Sequence, residues 1–275
     1  MFLYHKSSGR IQEKSTTKSL FSEKDLNSIV LEDGTIDHGT VEINLNQNFE
    51  TDFKEHYDII MDTLNTVQTK QPLNILNSVK YLMRIGLIGE MRTPKDQKER
   101  HEYIMGAFKQ VTDGASEEIK KSLEVHEQMV SVVKSKSPVD FDKVVDGVIE
   151  LMGDIMYAIL LAPKGEYFLL PDCTSISLRE NLLKDIVING EICTSGGSSI
   201  ASITFPINSK VALFCMSTKV REKKPNVVIQ LTEDNVQEYN VAFFKASDKG
   251  VVCESKEFLE KFVANYKLSS NNFSS

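Results

Sequence analysis

The spacing of apolar positions changes twice along the chain, and each spacing predicts a different kind of element. Up to about residue 40 the apolar segments are short and broken. "MFLYH" and "LNSIVLE" read as brief strands, with "SSGR", "EDGT" and "DHGT" as turn signals. From Val41 the pattern becomes helical: Phe49, Phe53, Tyr57, Ile60, Met61, Leu64 and Val67 fall on one face, and Pro72 separates this helix from the next. "LNILNSVKYLMRIGLIGEMRTP" is apolar on nearly every side, as a central buried helix is, and stops at Thr93-Pro94. A third helix is predicted through "KERHEYIMGAFKQV", closed by Asp113-Gly114. A fourth, "SEEIKKSLEVHEQMVSVVK", is capped by Ser116 with Glu117 and Glu118. A fifth follows Ser137-Pro138, with Phe141, Val144, Val148, Leu151, Ile155 and Ile159 expected on its buried face.

After Pro163 the period moves toward two. "EYFLL", "DIVIN", "IASITFP", "KVALFCM" and "NVVIQL" are candidate strands, followed by a helix from Thr232 to about Ala246, a strand "GVVCE" and a last helix "SKEFLEKFVANYK". This order predicts an α+β fold: a helical middle of about five helices packed on a mixed, mainly antiparallel C-terminal sheet, which the short N-terminal strands join. We expect one domain over residues 1–268. It divides into strands and loops (1–40), a helical part (41–162) and a β-rich part with two helices (163–268), with a disordered tail at 269–275.

Composition narrows the function classes. The chain's 275 residues are enough for a sizeable core, and 41% hydrophobic with 26% charged residues is ordinary for a globular protein. A net charge of −7 argues against a broad nucleic-acid surface, which needs clustered Lys and Arg, while leaving room for a local basic patch. Cys173, Cys193, Cys215 and Cys253 form no CxxC or Cys/His pair, so no zinc site is expected. Cys215, inside "VALFCM", reads as a buried free thiol. "MFLYHKSSGR" is no signal peptide, and "IMYAILLA" falls well short of the roughly 20 apolar residues of a membrane span. These features predict a cytoplasmic protein with no membrane association.

Sharp catalytic motifs fail one by one. "TSGGSSIAS" lacks the GK[ST] of a phosphate-binding loop and the spacing of a nucleophile elbow, and reads as a hairpin connection. "HEQMV" has no second histidine four residues on. Pro171-Asp172 resembles the start of a metal-dependent nuclease motif. An acidic-x-Lys downstream of it, Glu222-Lys223-Lys224, lies about fifty residues away in a charged loop. Asp172 itself reads either as a chemical group at a strand's end or as a turn former. All five histidines (5, 38, 56, 101 and 126) read as solvated surface residues.

Three charged features remain. Asp142, Asp146, Glu150 and Asp154 step by four along the fifth predicted helix; each step drifts only about 40°, which makes one acidic stripe. It is either a solvated face or a docking surface for a basic partner. Arg84 sits in the middle of the most apolar helix and must snorkel to solvent or meet a carboxylate. Arg92 ends the same helix, and Glu42 and Glu50 lie near the start of the first long one, where the helix dipole favours a carboxylate.

These scattered residues follow a known pattern. The chain resembles the family catalogued as domain of unknown function 4238, found in bacteria, archaea and phages. "LYHKSSGRIQEKSTTKSLFSEKDLNSI" is similar to its early strand, basic turn and second strand, and "TVEINLNQNFE" to its glutamate-bearing helix start. "YLMRIGLIGEMRTP" resembles its buried helix ending in Arg-Thr-Pro, and "YFLLPDCTSI" its strand leading to Ser-Asp-x-Pro. "ITFPINSKVALF" resembles its Phe-Pro-Leu turn, and "VQEYNVAFFKASDKGVV" its Leu-Asn helix. The resemblance singles out Glu42, Arg92, Asp172, Pro206 and Asn240. It departs in three places: the family's opening His-x-x-Pro strand has no counterpart, so Met1 is expected just after it; the family's glutamine three residues before the arginine is Gly89; and its proline two after the aspartate is Thr174.

The family name carries no activity, so function has to come from the site. One reading is a binding or interaction module of a bacterium, phage or mobile element. Arg92 and Asp172 would be a buried pair clamping the helices onto the sheet, the acidic stripe would be the face for a protein partner, and no cofactor would be needed. Arg84 and Asn240 join the stripe as candidate binding residues. The alternative is a nuclease-like, defence-type effector in which Glu42 and Asp172 hold Mg²⁺ or Mn²⁺ and Arg92 holds a phosphate of a nucleic acid. The module reading stands first, because no constellation is complete enough for catalysis.

Overall fold

A computed structural model of the chain describes residues 1–15, 29–30, 36–37, 51–66, 75–93, 141–180, 186–188, 191–193, 199–220 and 226–271. Within them the elements run, in chain order, β1 (Phe2–His5), β2 (Arg10–Glu13), β3 (Ile29–Val30), β4 (Ile36–Asp37), α1 (Phe53–Thr66), α2 (Leu76–Met91), α3 (Phe141–Met152), β5 (Ile155–Leu161), β6 (Leu170–Pro171) and β7 (Ile176–Glu180). They continue as β8 (Ile186–Ile188), β9 (Glu191–Cys193), β10 (Ser199–Pro206), β11 (Val211–Ser217), β12 (Val227–Gln230), α4 (Glu233–Ala246), β13 (Gly250–Cys253) and α5 (Lys256–Asn271). Glu42, the helices predicted through "KERHEYIMGAFKQV" and "SEEIKKSLEVHEQMVSVVK", and the "TSGG" connection lie outside the described residues.

The period-two segments build the larger sheet, in the order β12-β5-β11-β10-β7. All its neighbours are antiparallel except β12 and β5, which run parallel. Alternation sends Tyr157, Ile159, Leu213, Cys215, Ile203 and Phe205 to one face, where α1, α2 and α3 cover them with Ile60, Leu82, Met83, Leu87, Val145 and Met152. The opposite face carries Ala158, Leu160 and Ala212, which pack against Phe168 and against Val236 and Phe243 of α4.

A smaller antiparallel sheet, β2-β1-β13-β6, joins the chain's first strands to its last. Its core of Tyr4, Leu169, Val251, Leu259, Phe262 and Val263 includes Phe244, the residue after Phe243. Helix α4 therefore feeds both cores from adjacent positions. The architecture is α+β, with N-terminal strands joining a C-terminal sheet.

The fifth helix is shorter than its period predicts. It ends at Met152, and the segment carrying Ile155 and Ile159 is β5, inside the larger sheet. Gly153 is the reason: at φ +69 it takes the left-handed conformation that closes helices, and its N–H bonds back to Ile149 O at 3.1 Å. Lys219 Nζ then donates to Leu151 O at 2.7 Å, a cation on the orphan carbonyls of the helix end. Val144 and Leu151, expected in the core, are 40% and 49% exposed, and Val145 and Met152 are buried in their place. The part read as helical to residue 162 thus contains a strand.

Three smaller differences follow. Only the end of "EYFLL" is a strand, β7 appears where none was expected, and α5 runs to Asn271, three residues into the expected tail. His56 is half-buried and not simply a solvated residue: its ring packs against Tyr81, tilted, with centroids 4.1 Å apart, and its Nδ1 lies 3.0 Å from Ser78 Oγ.

Candidate functional site

Helix α2 positions the first group of residues. Its apolar circumference leaves Arg84 among buried neighbours, and Arg84 meets the Asp146 carboxylate of α3. This fulfils one of the two outcomes the sequence allowed and pairs one member of the acidic stripe with a cation. Asp142 and Glu150 lie on α3 with it, and Glu150 is exposed. Asp154 follows Gly153, off the helix, and its backbone carbonyl accepts from Thr218 N at 2.9 Å. The stripe is therefore three residues on a helix and one beyond it.

Arg92 is the C-cap of α2 and half-buried; its amide bonds to Ile88 O at 3.0 Å. One position earlier on the same turn, Glu90 reaches the larger sheet. Ser177 Oγ donates to Glu90 Oε1 at 2.7 Å. Ser175 Oγ, fully buried, donates to Gly86 O at 2.9 Å and lies 3.2 Å from Glu90 Oε2. Gly86 and Gly89 permit this approach: a Cβ on Gly86 would stand 3.1 Å from the Phe205 ring, and one on Gly89 would overlap Thr174.

Asp172 follows Pro171, the last residue of β6. Its carboxylate accepts the amides of Asp248 at 3.0 Å and Lys249 at 2.5 Å, in the turn between α4 and β13, and its own amide donates to Gly250 O at 3.3 Å. Burial pushes its carboxyl above the ordinary carboxylate value, against the opposing pull of the Lys249 and Asp248 amides. The partners of Asp172 are backbone amides, and the Arg92–Asp172 clamp expected from the sequence is not what holds it.

Asn240 is fully buried in α4. Its Oδ1 accepts from Leu169 N and its Nδ2 donates to Tyr167 O, both at 2.8 Å. A single side chain thereby fastens the segment leading into β6. Pro206, buried at the end of β10, opens a turn in which Asn208 Oδ1 accepts from Lys210 N and Val211 N at 2.8 and 2.9 Å. Asn208 Nδ2 donates to Tyr57 OH of α1 at 3.0 Å.

The structure thus places Asp172 and Asn240 around the β6 segment and Arg92 at the end of α2. Arg84 and Asp146 form a separate pair between helices. Glu90, Ser175 and Ser177 were missed because each acts on a partner far away in sequence, with no local spacing to reveal it. Asn208, which takes the amides two and three residues on, carried the local signal of a turn-forming Asn and was overlooked. Among the described residues, no group of three or more His, Cys, Asp or Glu side chains is placed to hold a metal ion, and no helix is long and apolar enough to cross a membrane.

A family model described as "Protein of unknown function (DUF4238)" matches residues 1–257. No curated protein and no solved structure matches the chain.

Proposed function

The chain belongs to the DUF4238 family, and we propose that it is a binding module whose motif residues hold its layers together instead of handling a substrate. One observation carries this reading: two of the motif side chains, Asp172 and Asn240, are engaged by the chain's own backbone. Both oxygens of Asp172 accept amides, and both ends of the Asn240 amide are taken by Tyr167 and Leu169. Groups committed in this way act as anchors. The face offered to a protein partner is the outer side of α3, where Val144 and Leu151 stand seven residues apart beside Glu150.

Two measurements test the reading. Thermal unfolding with and without Mg²⁺ or Mn²⁺ should give the same melting temperature for the wild type and for Asp172→Asn taken separately. A metal-dependent rise in the wild type that Asp172→Asn abolishes overturns the module in favour of a metal-assisted effector. In-cell crosslinking should yield a discrete adduct that Val144→Asp with Leu151→Asp removes at unchanged melting temperature. An adduct that survives this double change moves the docking face away from α3.

A further inference from the structure

Residues 172–177 touch three layers within six positions. At one end the Asp172 carboxylate holds the amides of Asp248 and Lys249, beside the smaller core. In the middle, Thr174 stands so close to α2 that a Cβ on Gly89 would lie 2.1 Å from its Oγ1. At the other end, Ser175 Oγ reaches the Gly86 carbonyl and Ser177 Oγ the Glu90 carboxylate, over the larger core.

Thr174 has φ +62 and is the non-glycine residue with positive φ among the described residues. That conformation costs an L-residue about 1–2 kcal/mol, and it persists where the surroundings impose it. Here they impose it from both sides. Thr174 N donates to Pro171 O at 3.0 Å and Cys173 Sγ to Ser175 O at 3.1 Å, so the turn is closed on itself while its ends are fixed to different layers.

We propose that residues 172–177 form a strained strap coupling the last turn of α2 to the turn between α4 and β13. When α2 moves off Thr174, the threonine leaves the left-handed region, the two anchored ends rotate relative to each other, and Asp172 releases the Asp248 and Lys249 amides. Displacement of the helical layer is thereby passed to the smaller sheet, a two-state element of the kind through which distant sites influence each other.

The test is residue-resolved amide hydrogen exchange on the full chain, with the Leu213 amide, in the centre of the larger sheet, as the reference for global opening. Gly89→Ser drives a side chain against Thr174. It should speed exchange at the Asp248 and Lys249 amides roughly threefold or more relative to Leu213, and adding Thr174→Gly should restore the wild-type rate. Faster exchange confined to Arg92 and Thr93, or uniform acceleration that includes Leu213, overturns the strap. If Gly89→Ser does not fold, the reverse experiment decides: Asp172→Ala should speed exchange at Arg92 and Thr93, and unchanged rates there overturn the strap equally.

Discussion

Thr174 occupies the space where a side chain on Gly89 would stand, with Oγ1 2.1 Å and Cβ 2.4 Å from the position of a Cβ on that glycine. The resemblance implies a glutamine at 89 and a proline at 174, and the contact ties what fits at one position to what stands at the other. A glutamine at 89 has no room beside Thr174. A proline at 174, with φ fixed near −65°, cannot adopt the +62 found there.

The contact predicts a compensating pair. Gly89→Ala alone should destabilise by about 1–3 kcal/mol, since the new methyl displaces a packed side chain on a fixed turn. Thr174→Gly removes the obstruction and the left-handed strain together. In the Gly89→Ala background it should therefore restore most of the loss. Chemical denaturation of the two single variants and the double variant measures the coupling, and additive losses would mean that the two residues do not share the space.

Asp172 predicts a pH dependence with a definite sign. Burial raises its folded-state value above the ordinary 3.8, so the folded protein binds this proton more tightly than the unfolded chain. Stability from this group is fully present below 3.8, falls as pH rises through the window up to the folded value, and is level above it. Asp172→Asn removes the slope but turns a donor toward one of the two amides, which lowers stability by about 1–3 kcal/mol. Urea unfolding across that window should show the gap between wild type and variant narrowing as pH rises. A widening gap would mean that the ionised carboxylate is the better partner for the amides.

Much of the architecture was readable, for identifiable reasons. Strands β10 and β11 announce themselves because both faces of the larger sheet are covered, and α4 because Thr232 caps it, its Oγ1 accepting from Asn235 N at 3.3 Å. The reading failed at Gly153. Phe141, Val144, Val148, Leu151, Ile155 and Ile159 keep helical spacing across it, and the glycine's left-handed φ, not the apolar period, decided where α3 stopped. In the candidate site, Asp172 was visible as a carboxylate out of place at a strand's end. Its partners were not, because backbone amides have no signature in sequence. Glu90 was invisible for a related reason: its serines arrive from β7 and the turn before it, more than eighty residues later.

The thiols should be inert in the native protein. Cys173, Cys215 and Cys253 are buried and take part in no disulfide. Burial pushes Cys253 up to about 11 and raises Cys215 further still, so little thiolate, the reactive form, exists at neutral pH. Titration with a thiol-specific disulfide reagent at pH 8 should label these three only on addition of denaturant. Fast native labelling of any of them, located by mass spectrometry, would show that its strand or turn opens locally.

Asn240 gives the sharpest stability prediction. Its amide supplies one acceptor to Leu169 N and one donor to Tyr167 O in a fully buried position. Asn240→Ala leaves both backbone groups without a partner, and each orphaned group costs about 1–3 kcal/mol, so a loss of about 2–6 kcal/mol is expected. Asn240→Asp keeps the acceptor and replaces the donor with a buried charge facing the Tyr167 carbonyl. That variant should be the weaker at neutral pH and recover as the pH falls, because a protonated carboxyl again offers a hydrogen to Tyr167. Denaturation of both variants at two pH values checks this. Equal stability of Asn240→Asp at both would mean that the side chain is not buried against those two backbone groups, and α4 would lose its role as the post to which the β6 segment is tied.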